Sequence, residues 1–132
     1  MGQMSYLACL IWVLLGSDQL KAGSRVSNEP QVQCNDSSLE IFKKDLEARN
    51  IKRLVFFASW CLSCKKHILE SNVDSTLFIV AYDNKERALS ALNGLFSPER
   101  RTRVQCQLDS SEDIIGYFNV KSLPHYIILN SN

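Results

Sequence analysis

The sequence predicts an α/β domain with a largely parallel sheet, and three observations carry that expectation. Two short apolar runs rich in branched and aromatic residues, Leu54-Val55-Phe56-Phe57 and Thr76 to Tyr82 (TLFIVAY), have the composition of buried strands. Segments with helical spacing and recognisable starts lie between such runs. The two kinds of segment alternate along the chain, the pattern of β-α units. At 132 residues the chain is long enough for one domain with one modest core.

The elements follow in order. Tyr6 to Leu15 (YLACLIWVLL) is an uncharged apolar run, too short to span a bilayer comfortably. It fits the apolar region of a secretory signal peptide, although no Lys or Arg precedes it. Small residues at Ala22-Gly23-Ser24 place cleavage near Ser24, with Ser17 as second choice, so residues 1–24 are read as a signal peptide. The alternative is a buried N-terminal helix or an uncleaved anchor, which would be the chain's one contact with a membrane. Cys9, inside the run, is a passenger. Residues 25–36 read as a linker or a short first strand, and 37–132 as the folded domain.

Ser37 and Glu40 are spaced as a capping box, opening a helix to about Ala48 with Leu39, Phe42 and Leu46 on one stripe. A strand at Arg53–Phe57 and a helix from the Cys61–Cys64 segment to about Glu70 come next. After the strand Thr76–Tyr82, Asp83-Asn84 caps a helix from Lys85 to Phe96, with Leu89, Leu92 and Phe96 on one face, and Ser97-Pro98 stops it. Arg100-Arg101-Thr102-Arg103 reads as a solvated loop. Arg103 to Leu108, of mixed polarity, reads as a strand near an edge. Asp109-Ser110-Ser111 caps a short helix with Ile114, Ile115 and Phe118 inward, and an apolar strand, His125 to Leu129, follows. The formal charge of +1 gives no basic surface for nucleic acid.

The chemistry sits where the first buried strand hands over to a helix. Cys61 lies in the first turn, where unpaired N–H groups and the helix dipole stabilise a thiolate. Cys64 follows one turn later, within disulfide reach, and Lys65 and Lys66 add positive charge. This is an arrangement for thiol–disulfide exchange: Cys61 attacks and Cys64 resolves. Without the signal segment four cysteines remain, Cys34, Cys61, Cys64 and Cys106, which permit two disulfides in three connectivities. The spacing favours Cys61–Cys64 as the redox pair. Cys34 and Cys106 either form a second, structural bridge or stay as two half-buried thiols. Cys61, Cys64 and His67 share a C-x2-C-x2-H spacing, but no fourth ligand is evident for a closed zinc site, so His67 reads as a surface residue and no metal is expected. His125 either lies beside the dithiol and tunes Cys61 or faces solvent.

Ala58-Ser59-Trp60-Cys61-Leu62-Ser63-Cys64-Lys65 resembles the active-site segment of the thioredoxin superfamily, and Val120-Lys121-Ser122-Leu123-Pro124 resembles its segment ending in a cis-proline. The extra helix and strand between Lys85 and Leu108 resemble the insertion of the exported TlpA-like branch. The resemblance covers about residues 37–129. It implies a thioredoxin-like fold with a central mixed sheet flanked by helices. It also implies that Cys61 is an exposed nucleophile, that Cys64 is the buried resolving cysteine, and that Trp60, Leu123 and Pro124 contact substrate. No cofactor is implied. The partners would be proteins with disulfides or thiols and an upstream redox donor. Three departures stand out. Val55 occupies the place of thioredoxin's buried acid, Ser63 stands where many relatives carry Pro, and the usual last strand and helix are missing after Leu129. The last departure would leave Tyr126 to Leu129 near an exposed edge.

The expected function is an exported thiol–disulfide oxidoreductase, periplasmic or secreted, acting as a reductant in the way TlpA-like proteins serve cytochrome c maturation. The alternatives are a thioredoxin-fold metal-binding chaperone and a non-catalytic docking subunit.

Overall fold

The computed structural model describes residues 29–129, so the expected signal segment at 1–24 and the start of the 25–36 segment lie outside the described residues. The strands are β1 (Cys34–Asn35), β2 (Arg53–Phe57), β3 (Thr76–Val80), β4 (Gln105–Gln107) and β5 (His125–Ile128). The helices are α1 (Leu39–Ala48), α2 (Leu62–Glu70), α3 (Lys85–Leu95), α4 (Pro98–Arg101) and α5 (Asp113–Phe118). The strands form one mixed sheet in the order β1-β4-β3-β2-β5, parallel throughout except that β5 runs antiparallel to β2.

β2 and β3 lie inside the sheet with helices over both faces, which is why their sequences are nearly unbroken apolar runs. All five residues of β3 are buried, and all of β2 after Arg53. The side-chain alternation of strands then splits the core in two. Leu54, Phe56, Leu77 and Ile79 pack with Phe42 of α1 and with Ile114 and Ile115 of α5. Val55, Phe57, Phe78 and Val80 pack with Cys64 and Ile68 of α2 and with Ala88 and Leu92 of α3. Phe78 stands edge-on to Phe57 at 6.4 Å and tilted against Phe96 at 6.0 Å. Burying one such ring contributes about 1.5–3 kcal/mol.

Several local expectations change. Ser38, not Ser37, caps α1, its hydroxyl accepting from the Ile41 N–H. β3 stops at Val80, and Tyr82 turns the chain with a left-handed φ of 56°. Pro98 does not merely end α3: it sits in the first turn of α4, where its missing N–H costs nothing. Arg101 is no solvated loop residue, because its guanidinium donates to the Asn93 carbonyl at 2.7 Å and to the Phe96 carbonyl at 3.0 Å. β4 lies near the edge as expected, one strand in, between the two-residue β1 and β3. Its polar Gln107 is nevertheless buried, with its amide donating to the Leu108 carbonyl at 3.0 Å. Asp109 serves α5 from outside the helix, its carboxylate accepting from the N–H groups of Ile114 and Ile115 at 3.0 and 2.8 Å. Phe118 is half-buried against Phe56 rather than fully inward. Among the described residues β5 is an edge strand, with Tyr126 and Ile128 exposed.

Candidate functional site

β2 ends at Phe57, and Ala58-Ser59-Trp60 carry the chain round to Cys61 at the N-terminus of α2. The Cys61 N–H donates to the Ala58 carbonyl at 3.1 Å, and the Cys64 N–H to the Cys61 carbonyl at 3.2 Å. No side chain caps α2, so no side-chain acceptor competes with a negative charge at Cys61 for the positive end of the helix. Cys61 and Cys64 are joined as a disulfide, with Cα atoms 5.3 Å apart. The Ser63 hydroxyl lies 3.6 Å from Cys61 Sγ.

Exposure at this site departs from the expectation. Cys61 is 6% exposed and Cys64 1%. Cys61 is therefore itself buried, because its sulfur is bonded inward to a residue that packs among Val55, Phe57, Ile68 and Phe78. The surface around it is formed by Trp60, 58% exposed, and Leu62, 78% exposed. Cys64 lies in an apolar cluster with Val55, Phe57, Ile68 and Phe78.

A second segment braces this turn. Asp83 Oδ2 accepts from the Ser59 N–H at 2.6 Å, and the Tyr82 carbonyl accepts from Trp60 Nε1 at 3.0 Å. The Tyr82 hydroxyl donates to the Val120 carbonyl at 2.8 Å. In the sequence Asp83-Asn84 has only the pattern of a helix cap. Asn84 does cap α3, accepting from the Arg87 N–H, whereas Asp83 faces back to the cysteine turn. The available signal is two cap-forming residues in a row, Asp83 and Asn84, where a cap needs one.

The Leu123–Pro124 peptide is cis. Leu123 is half-buried and packs against both cores, including the one that holds Cys61 and Cys64. In the β2–β5 pairing His125 stands opposite Phe56. One step further along that register puts Pro124 opposite Phe57, at the end of the sheet where the cysteine turn begins.

The histidines do not join the dithiol. The His67 ring packs on Tyr126, with centroids 5.4 Å apart. His125 fits neither alternative: it is half-buried and stands edge-on at 5.7 Å to Phe56, a residue of the core on the face away from the disulfide. Among the described residues no three His, Cys, Asp or Glu side chains group as metal ligands. Cys34 and Cys106 are bonded, a register pair of β1 and β4 with Cα atoms 4.4 Å apart. A polar cleft of about 440 Å³ opens beside these strands, lined largely by amide and guanidinium groups such as Gln33, Gln105 and Arg49, and shares no residue with the Cys61 site.

Comparison with protein-family models, with curated proteins and with solved structures finds no match.

Proposed function

We propose that this chain is a thioredoxin-type thiol–disulfide oxidoreductase that exchanges disulfides with protein substrates through Cys61 and Cys64, as a reductant. The observation that carries the reading is a disulfide spanning the uncapped first turn of a helix that leaves a central strand, with the Leu123–Pro124 segment at the same end of the sheet. The insertion resemblance is supported by α3, α4 and β4, which follow β3 and add a strand between β3 and β1. Two disulfides and the expected signal segment suit an exported setting, periplasmic or secreted.

In the reduced form the Cys61 thiolate attacks one sulfur of a substrate disulfide. A mixed disulfide forms and the first substrate thiolate leaves. Cys64 gives up its proton and attacks Cys61 Sγ. The Cys61–Cys64 disulfide forms and the second substrate thiolate leaves. Two electrons pass to the substrate, so an upstream dithiol must reduce the pair again. The helix N-terminus supports the negative charge on Cys61. Since Val55 offers no carboxylate, the Cys64 proton leaves through water or a substrate group.

The test is the reduction potential of the Cys61–Cys64 pair, by equilibration against glutathione or dithiothreitol. A value near about −270 mV fits a reductant, and one near about −120 mV makes the protein a disulfide donor instead. If no reversible two-electron couple appears, the oxidoreductase reading fails.

A further inference from the structure

Resting on that reading, we infer that Tyr82 is a positioning residue that holds the two sides of the substrate cleft at a fixed spacing and so favours disulfides within extended polypeptide over small free disulfides. Three independent observations meet at this residue. Its φ of 56° is a left-handed conformation unfavourable for a residue with a side chain, and such residues persist where their surroundings over-determine them. Its carbonyl accepts from Trp60 Nε1, so it holds the aromatic side chain that precedes Cys61. Its hydroxyl donates to the Val120 carbonyl, three residues before Leu123.

Val120 is itself fixed, 2% exposed and with its N–H donating to the Ile115 carbonyl at 3.0 Å. The hydroxyl bond of Tyr82 therefore anchors on a rigid point. One residue thus spans, through its backbone carbonyl and its hydroxyl, from the Trp60 side of the cysteine turn to the segment that leads into Leu123–Pro124. Tyr82 and Trp60 are both exposed, 46% and 58%, so the brace lies at the surface where a substrate chain can reach it. A polypeptide disulfide that rests on Trp60 and on the Leu123 backbone together depends on the spacing between them. A small disulfide that meets only Cys61 does not.

The experiment compares the full chain and its Tyr82→Phe variant on two substrates: turnover on the interchain disulfide of insulin with dithiothreitol as electron source, and, for pre-reduced protein freed of dithiothreitol, the second-order rate constant (the equivalent of kcat/KM) with the small aromatic disulfide dithiobis(nitrobenzoate). Tyr82→Phe keeps the ring and the backbone carbonyl and removes only the bond to Val120. The expected result is a rise of about fivefold in KM for insulin, the weight of one hydrogen bond, with kcat within about twofold. The kcat/KM for the small disulfide should stay within about twofold on the same scale. Tyr82→Gly relieves the backbone conformation but loses the brace and the ring, and should show the same selective loss. A parallel loss on both substrates, or an unchanged KM for insulin, overturns the proposal while leaving the oxidoreductase reading in place. Wild-type protein that turns over neither substrate defeats both.

Discussion

Cys61–Cys64 closes a span of three residues at the start of one helix, whereas Cys34–Cys106 joins residues 72 apart across two neighbouring parallel strands. The first bond has an uncapped helix N-terminus beside it and an exposed apolar rim of Trp60 and Leu62 around it. The second has neither: it sits at a register position of β1 and β4, with Cys106 2% exposed. Tying a loop of that length restricts the unfolded chain by about 4 kcal/mol in the chain-entropy account, roughly twice what a four-residue loop provides. β1 has only two residues, so the bond to β4 also holds a strand too short to hold itself. A short local disulfide at a helix start is suited to opening and closing, and a long-range one between strands is suited to staying closed.

The largest expected effect separates the two bonds directly. Cys61→Ser should bring protein-disulfide reduction down to the uncatalysed rate while leaving the urea midpoint of the reduced protein almost unchanged. Retained turnover would mean that exchange does not pass through this cysteine. Replacing Cys34 and Cys106 together by Ser should do the reverse. Stability should fall by about 3–4 kcal/mol in urea unfolding, with turnover kept within about twofold. Loss of turnover in a variant that remains folded would erase the division between the two bonds.

A smaller effect tests the brace on the active turn. Asp83→Ala leaves the Ser59 N–H without its acceptor and should cost about 1–2 kcal/mol. Amide hydrogen exchange should then speed up at Ser59 and Trp60 but not at Cys106. Asp83→Asn keeps an acceptor oxygen and should recover most of the loss. Equal acceleration at Cys106 would show that the turn is not a separate local unit.

The smallest effect belongs to an exposed ion pair that touches neither bond. Arg103 donates to Asp74 through Nε and Nη2, and this bidentate contact holds the Asp74 carboxyl below its ordinary value of 3.8. A depressed carboxylate pKa adds stability above the unfolded value, and that stability is lost as pH falls through the folded one. Both side chains are exposed, so solvent screens the pair. Arg103→Gln should lower the melting temperature slightly at neutral pH. The difference should shrink with added salt and vanish once Asp74 is protonated in the folded protein. A difference that persists in strong acid would mean Arg103 acts through packing instead.

Where local pattern carries the information, the sequence is sufficient. The apolar runs mark β2 and β3 because a strand buried on both faces has little room for polar side chains. The boundaries of α1 at Ala48 and α2 at Glu70, and the start of α3 after Asn84, follow from spacing and caps. The three-residue spacing of Cys61 and Cys64 puts two sulfurs on one turn whatever surrounds them, so this bond was legible before any fold.

The tertiary structure decided the rest, because it depends on which segments lie side by side. Cys34 pairs with Cys106 only because β1 and β4 align in register, a relation that no spacing of 72 residues encodes locally. The mixed polarity of β4 places it near an edge, but only the fold shows that its Gln107 is buried with its amide satisfied by backbone carbonyls. His125 faces the core opposite the dithiol because strand side chains alternate and its register partner is Phe56. Tyr82 and Asp83 meet the cysteine turn because adjacent parallel strands end at the same side of the sheet, and that adjacency arises only when β2 and β3 pair.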